Sequence, residues 1–173
     1  MARQPGQAAS LRRADHRVLG QGIGLNTEDI RLVAVTRANR ALVAALELAP
    51  EQRDFVAGNS ESLEEAETDE DARPRAIMAG TRVVGFLMYD ASDNEALVYR
   101  FMIDRAHQGK GYGKAALRAL LDEIGNLGHI REVSICYEPE NEAARHLYRA
   151  AGFVEQGIDE DGEMIAVLPM VDR

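Results

Sequence analysis

Apolar positions recur along most of this chain with one of two periods, and each period predicts a type of element. Short β-branched or alternating runs predict strands at 30–36, 95–104 and 130–137. Two more strands lie within 75–90 around a turn at Gly80 and Thr81, and a final hairpin turns at 159–162. Helical spacing predicts helices at 38–48, 62–68, 112–128 and 138–153.

Two of these helices carry further local signals. The helix at 138–153 has Pro139 in its first turn and Gly152 at its C-terminal end, which are the positions that these residues favour. The helix at 112–128 has one apolar face that we expect to be buried, formed by Ala115, Leu117, Leu120, Leu121 and Ile124.

The order of the elements predicts the fold class. Read in sequence, it is β-α-α-β-β-β-α-β-α-β-β, which implies a mostly antiparallel sheet with helices on both faces. The length of 173 residues suits one domain, and no internal repeat is present. Residues 1–28 lack periodicity and a secretory apolar segment, so we expect a disordered N-terminal extension followed by a domain at 29–173.

Composition and charge narrow the classes of partner. Hydrophobic residues make up 46% and charged residues 28% of the chain, as in ordinary globular proteins. No apolar run approaches the roughly 20 residues that span a bilayer, so no membrane partner is expected. The net charge of −9 argues against nucleic acid, because phosphate binding needs a basic surface, and it is compatible with a cationic substrate.

The single cysteine and the four histidines predict neither a disulfide nor a metal site. Cys136 cannot form an intramolecular disulfide, so a reducing cytoplasmic location is the default. We interpret Cys136 as a residue of an apolar strand rather than as an acyl-carrying nucleophile. The histidines lack the spacing of metal ligands, and no metal is expected.

The stretch DRAHQGKGYGKAAL, residues 104–117, concentrates backbone freedom at the start of a predicted helix. Gly109, Gly111 and Gly113 lie within five positions, and Lys110 and Lys114 are the only lysines of the chain. The first N–H groups of a helix have no internal partner and lie at the positive end of its dipole. Glycines let a phosphate approach them closely, so this stretch predicts a phosphate or pyrophosphate site.

Two common phosphate motifs do not fit this stretch. The dinucleotide pattern G-x-G-x-x-G fails at Lys114, and the pattern G-x-x-x-x-G-K-[ST] also fails. The pattern that fits is Gln-x-x-Gly-x-Gly at Gln108, Gly111 and Gly113. It resembles the coenzyme A pyrophosphate loop of the GCN5-related N-acetyltransferases, the GNAT family.

A second motif strengthens this resemblance. The helix NEAARHLYRAAGF is similar to another GNAT signature, which it matches at Asn141, Ala144, Tyr148, Gly152 and Phe153. The two motifs follow in the order and at about the spacing of the family. The resemblance implies a GNAT fold of the α/β (α+β) class, with a central mixed, mostly antiparallel sheet, a splayed pair of strands and helices on both faces.

The resemblance also implies roles for individual residues. Asn141 would help to hold acetyl-CoA, the cosubstrate, and Tyr148 would lie near the thioester sulfur as the catalytic acid. The strand residues Phe101, Met102 and Ile103 would pair with the pantetheine arm. The pyrophosphate would be held by Gln108, Gly109, Lys110, Gly111, Tyr112, Gly113 and Lys114.

The chemistry that follows is direct transfer of acetyl to a primary amine. A backbone N–H near Met102 or Ile103 would polarise the acetyl carbonyl, and Tyr148 would return a proton to the departing thiolate. The amine must first lose a proton, either to a carboxylate or to an ordered water, and the sequence does not distinguish these two.

An acidic segment is the candidate acceptor surface. Nine acidic residues and one arginine lie between Glu51 and Asp71, in a segment that resembles that of bacterial spermine/spermidine acetyltransferases. Carboxylates such as Glu51, Asp54 and Glu64 would complement a polyamine electrostatically. The alternative is that these acids form a solvated helix face.

Other functions remain open from the sequence. A GNAT-fold protein that binds coenzyme A as a sensor without transfer would share both motifs, as would an enzyme acting on another small amine, an antibiotic or a peptide N-terminus. A nucleotide-binding domain is a third alternative. The final hairpin would supply the edge for a homodimer, if the protein forms one.

Overall fold

The computed structural model describes residues 29–55 and 58–170, so the prediction for 1–28 lies outside them. Its four helices are α1 (Arg40–Ala44), α2 (Asn59–Thr68), α3 (Tyr112–Gly125) and α4 (Glu142–Ala150), with 3-10 turns at Pro50–Phe55 and Arg105–His107. Its strands are β1 (Ile30–Ala34), β2 (Arg73–Ala79), β3 (Arg82–Asp90), β4 (Glu95–Ile103), β5 (Glu132–Tyr137), β6 (Val154–Ile158) and β7 (Met164–Pro169). The predicted order of elements is confirmed.

The strands form one sheet in the order β1-β2-β3-β4-β5-β7-β6. Neighbouring strands are antiparallel except β4 and β5, which are parallel. These two pair only between Glu95–Val98 and Glu132–Ile135, and beyond Val98 they part. The predicted fold class, a mixed and mostly antiparallel sheet with a splayed pair, is confirmed.

A β-bulge marks the place where β4 leaves β5. Met88 of β3 lies opposite Arg100, whereas the next residue, Tyr89, lies opposite Val98, so Tyr99 is the extra residue on β4. A bulge bends its strand and increases the local twist. It therefore accounts for the separation of β4 from β5 that begins at the same point.

Helices cover both faces of the sheet, as predicted, and each face carries its own core. On one face, α3 buries Leu117, Leu120 and Ile124 in a cluster that also contains residues of β3, β5 and α4. On the other face, Val43 of α1 and Leu63 of α2 lie in a smaller cluster with residues of β3 and β4. In the apolar face predicted for α3, Ala115 and Leu121 are only half-buried. Tyr112 and Ala116, which were not predicted, are buried instead.

The helix predicted at 38–48 is shorter than expected, because α1 ends at Ala44. The next residues bond to the junction that follows β4: the Glu47 N–H donates to Asp104 Oδ2 at 2.8 Å, and the Arg105 N–H donates to the Glu47 carbonyl at 2.7 Å. These long-range hydrogen bonds replace helical ones. They place Leu48 and the turn at Pro50–Phe55 near the end of β4.

The prediction for Pro139 is wrong, since α4 begins only at Glu142. Asn141 is the N-cap, and its Oδ1 accepts a hydrogen bond from the Ala144 N–H at 3.1 Å. An asparagine cap satisfies a helix N-terminus better than a proline inside it, so Pro139 stays in the preceding turn. Gly152 follows the helix with φ of 98°, as a C-terminal glycine should. None of the helices in the described ranges is long and apolar enough to cross a membrane.

Candidate active site

A cleft of about 320 Å³ opens where β4 parts from β5. Its lining includes ten of the residues that the sequence predicted as site residues: Phe101, Met102, Ile103, Gln108, Gly109, Gly111, Tyr112, Gly113, Asn141 and Tyr148. It also includes six that the sequence analysis missed: Leu48, Gln52, His107, Ala143, Ala144 and Leu147. The two sequence motifs therefore meet on one surface.

The end of β4 directs backbone groups that do not bond to β3 toward this cleft. The Asp104 N–H donates to the carbonyl of Val84 on β3 at 2.9 Å. Because bonded and non-bonded pairs alternate along an antiparallel ladder, Met102 also bonds to β3, whereas Phe101 and Ile103 direct their N–H and C=O groups the other way. Of the two predicted oxyanion donors, the alternation favours Ile103 over Met102.

Gly85 of β3 allows β4 to lie in this position. A Cβ atom at Gly85 would lie 2.5 Å from the Met102 carbonyl oxygen and 2.9 Å from Ile103 Cδ1. Both distances are too short for a real contact, and the nearer atom belongs to the backbone. Only glycine therefore fits at this position without moving β4.

The loop before α3 has the backbone geometry of an anion cradle. Gly109 and Gly111 have φ of 73° and 82°, and Gly111 is the N-cap of α3 without a side-chain cap. Such left-handed conformations favour glycine. Within the ranges that the structure describes, six backbone N–H groups of this loop donate no hydrogen bond: those of Gln108, Gly109, Lys110, Gly111, Gly113 and Lys114.

His107 lines the cleft and has a buried ring nitrogen without a partner in the described part of the chain. His107 Nδ1 is inaccessible to solvent and has no hydrogen-bond partner among the described residues. Burial, followed by the charge of Lys110, lowers the pKa of His107, which keeps its ring neutral. Free N–H groups at a helix N-terminus and glycines with open backbone fit the phosphates of coenzyme A.

The structure gives Gln108 and the lysines different surroundings from those expected. Gln108 Nε2 donates to Gln52 Oε1 at 2.7 Å and to the Ile103 carbonyl at 2.9 Å, so its side chain fastens the loop to β4. Lys110 Nζ donates to a loop carbonyl at 3.2 Å, and Lys114 is exposed. Neither lysine lines the cleft, although both lie next to the cradle.

Tyr148 lies at the base of the split and is 4% exposed. Its ring contacts those of Phe101, Tyr137 and Phe153, with centroids 6.3, 5.3 and 5.9 Å away. Burial, and secondarily the nearby Tyr137, raises the pKa of Tyr148 well above its usual value. The hydroxyl is therefore protonated at neutral pH and is able to donate.

A smaller cavity of about 90 Å³ adjoins the cleft. It shares four lining residues with it, and its remaining wall includes Arg100, Cys136 and Glu163. Atoms of Cys136, Asp159 and Glu163 lie within 4.8 Å of one another. The sequence analysis missed this cluster because β5 and the β6–β7 hairpin contribute its members from distant positions.

The surroundings of Cys136 agree with its interpretation as a strand residue. It is half-buried on β5, and burial together with Glu163 and Asp159 raises its pKa. A thiol that stays protonated is a poor nucleophile.

Two of the three predicted acceptor acids lie apart from both cavities. Glu51 and Glu64 are exposed and line neither of them. The side chain of Asp54 lies outside the described residues. Among the residues of this segment whose side chains the structure describes, Gln52 alone lines the cleft.

Comparison with known proteins agrees with this geometry. Residues 35–153 match the model of the acetyltransferase (GNAT) family. The chain is 30% identical over 147 residues to the spermine/spermidine N(1)-acetyltransferase of Bacillus subtilis, covering 80% of this chain and 97% of that protein.

Solved structures show the same fold. The spermidine N-acetyltransferase of Vibrio cholerae, in complex with CoA and spermine, aligns with a TM-score of 0.68 at 18% identity over 82% of this chain and 96% of that one. The aminoglycoside acetyltransferase AAC(6')-Ib, in complex with coenzyme A, aligns with a TM-score of 0.68 at 18% identity over 81% of this chain and 94% of that one. The predicted resemblance and the expectation of an acetyltransferase are confirmed, and the chain belongs to the GNAT family.

Proposed function

We propose that this protein transfers the acetyl group of acetyl-CoA to a primary amine by direct attack. One observation carries the proposal: the protonated hydroxyl of Tyr148 lies at the base of a split whose rim is a loop of unpaired backbone N–H groups. The split admits an extended chain along β4, and the loop suits its phosphates.

The residues that would hold acetyl-CoA follow from their free groups. The N–H and C=O groups of Phe101 would bond to the pantetheine arm as a neighbouring strand does. The loop amides from Gln108 to Lys114 would bind the pyrophosphate, with Lys110 and Lys114 adding positive charge from outside the cleft. Bound there, acetyl-CoA supplies an activated acetyl group and a thiolate leaving group.

Two groups of this chain would act on the reacting atoms. The Ile103 N–H faces the split and would stabilise the negative charge that develops on the acetyl oxygen. Tyr148 would donate its proton to the departing sulfur. The protons balance: of the three on the substrate ammonium, one stays on the amide, one replaces the proton of Tyr148 and one is released.

We infer that the amine is a polyamine. The relative from Bacillus subtilis is named a spermine/spermidine acetyltransferase, and this chain has a net charge of −9, which suits a polycation. An aminoglycoside or another small amine is the second candidate, because a structural neighbour is an aminoglycoside acetyltransferase.

Thiol release from acetyl-CoA with a panel of amines tests both statements. We expect spermidine and spermine to be acetylated more efficiently than monoamines of similar length. The difference should shrink as salt rises, since exposed charges are screened over ~10 Å at 0.1 M. If monoamines and polyamines are acetylated with equal efficiency and without salt dependence, the polyamine proposal is contradicted, but the acetyltransferase proposal is not.

Binding measurements separate the remaining alternatives. Tight acetyl-CoA binding without thiol release on any amine would identify a sensor rather than an enzyme. Protection against thermal unfolding by ATP or NAD, and not by acetyl-CoA, would instead identify a nucleotide-binding domain.

A further inference from the structure

The small cavity next to the cleft contains a carboxylate that no described residue neutralises. Glu163 lines this cavity, is half-buried, and makes no side-chain hydrogen bond or ion pair within the described ranges. Glu155 of the same hairpin differs, because it accepts hydrogen bonds from Tyr137 at 2.7 Å and from Arg145 at 2.8 Å.

The backbone that carries Glu163 is fixed by Asp159. Asp159 Oδ1 accepts hydrogen bonds from the N–H of Asp161 at 3.0 Å and of Glu163 at 2.8 Å, and the Asp159 N–H donates to the Glu163 carbonyl at 2.9 Å. One oxygen of Asp159 therefore closes the hairpin turn. The Glu163 side chain projects from this closed turn into the cavity.

The groups around Glu163 are mostly acidic. The hairpin contributes Asp159 and Asp161, the turn after β5 contributes Glu138, and β5 contributes the protonated thiol of Cys136. Burial is the largest cause of the raised pKa of Glu163, and these three acids raise it further.

Among the described residues, Arg100 is the cation that opposes these acids, and it is already paired. Arg100 of β4 lowers the pKa of Glu163, but it also forms a 3.1 Å ion pair with Glu65 and donates to Ser62 Oγ at 3.0 Å. The cavity thus keeps an excess of negative charge, which favours a cationic ligand.

A second, independent feature shows that this cavity suits a ligand. Tyr148 is more than nine-tenths buried, lines the same cavity, and has no hydrogen-bond partner for its hydroxyl among the described residues. A polar group inside a largely buried side chain normally has a partner, so the Tyr148 hydroxyl suits a bound polar group in this cavity.

We propose that the small cavity receives the reacting amine, and that Glu163 binds its ammonium group and accepts the proton lost before attack. The proposal rests on the acetyltransferase function above and deepens it. In this step an N–H bond of the ammonium breaks and an O–H bond forms on Glu163, which then releases the proton to solvent. Asp159 is a positioning residue.

Glu163→Gln tests the proposal, because it keeps the size of the side chain and removes its charge and basicity. We expect kcat/KM for spermidine to fall ~10²–10⁴-fold, with the acid limb of its pH profile lost. Calorimetry in the presence of coenzyme A should show weaker spermidine binding but unchanged affinity for coenzyme A. Glu163→Asp should retain the acid limb at a reduced rate.

An exposed acid of the same hairpin turn supplies the matched control. Glu160→Gln removes the same charge from a residue outside both cavities, so it should change kcat/KM for spermidine less than twofold. If Glu64→Gln or Glu51→Gln weakens spermidine binding and Glu163→Gln does not, the acceptor follows the acidic segment and the proposal is overturned.

Two further results separate this proposal from its alternatives. If wild-type protein acetylates no amine, the proposed function fails, and unchanged spermidine binding by Glu163→Gln then overturns the role of Glu163 as well. Titration with Zn²⁺ alone tests a metal site at Cys136, Asp159 and Glu163. A Zn²⁺ affinity that Glu163→Gln abolishes, with spermidine binding intact, overturns the proposal in favour of that site.

Discussion

The rings of Tyr137 and Tyr148 lie 5.3 Å apart at the base of the split, but their hydroxyl groups differ in bonding. The Tyr137 hydroxyl donates to Glu155 at 2.7 Å, and burial together with this bond raises its pKa to about 12. The Tyr148 hydroxyl donates to no residue that the structure describes. Of the two tyrosines, Tyr148 is therefore the one whose proton is available to a ligand.

Tyr148→Phe removes that hydroxyl and keeps the ring. Since a general acid contributes ~10²–10⁴-fold, we expect kcat to fall by this factor while the affinity for acetyl-CoA stays within a few fold. Steady-state kinetics and calorimetry measure the two effects separately.

Tyr89→Phe is the matched control for Tyr148→Phe. Tyr89 is fully buried, lies outside the cleft, and its hydroxyl donates to Glu123 at 2.5 Å. Its loss should cost about 1 kcal/mol of stability and leave kcat unchanged. Wild-type turnover by Tyr148→Phe would make Tyr148 a packing residue only.

Gly111→Asp tests the phosphate cradle. It adds a negative side chain at the N-cap of α3, where the free N–H groups lie, so coenzyme A binding should be abolished. Gly128→Asp is the control, because Gly128 has a similar φ of 75° and a Cβ there meets no atom within 4 Å. Calorimetry should show normal coenzyme A affinity for Gly128→Asp, and retained affinity in Gly111→Asp would refute the cradle.

The parts of the site that are local in sequence could be predicted, and those made by long-range contacts could not. Gly109, Gly111 and Asn141 lie within short motifs next to helix starts, so their backbone role follows from the chain itself. Leu48 and Gln52 reach the cleft only because hydrogen bonds at Asp104 end α1 early. The helical periodicity of residues 38–48 cannot show that α1 ends early.

The directions of individual side chains also could not be predicted from the sequence. Lys110 and Lys114 lie in the phosphate motif, but the turn of the loop directs both away from the cleft lining. Conversely, the sequence analysis did not identify Glu163 as a site residue, because it belongs to a hairpin turn, where acidic residues are common and normally solvated. Only the closure of that turn by Asp159 brings it to the cavity.

Gly85→Ala tests whether the path of β4 depends on a missing side chain. The added methyl group would lie 2.5 Å from the Met102 carbonyl oxygen, and β4 must move to relieve the overlap. Overpacking of this kind costs about 1–3 kcal/mol, and displacement of β4 should raise KM for acetyl-CoA. Urea unfolding and steady-state kinetics measure the two effects.

Gly125→Ala provides the comparison for Gly85→Ala. Its Cβ would meet Met170 Cε at 3.5 Å, an ordinary contact, and Gly125 lies within α3. Alanine favours a helix over glycine, so this variant should be neutral or more stable by up to about 1 kcal/mol. If both variants behave alike, the close approach at Gly85 does not determine the position of β4.

Glu155 should make the stability of the β6–β7 hairpin depend on pH. Hydrogen bonds from Tyr137 and then Arg145 lower its pKa below the usual 4.5. A group with a lowered pKa in the folded state stabilises the fold above its unfolded pKa, and this contribution is lost as the pH falls through the folded value. Glu155→Gln should therefore lower the Tm at pH 7, and the difference from wild type should shrink below pH 4.5.

Glu160→Gln, at an exposed turn position nearby, should leave the Tm unchanged at both pH values. A Tm difference for Glu155→Gln that is the same at pH 7 and pH 3 would mean that the loss comes from packing and not from the charge of Glu155.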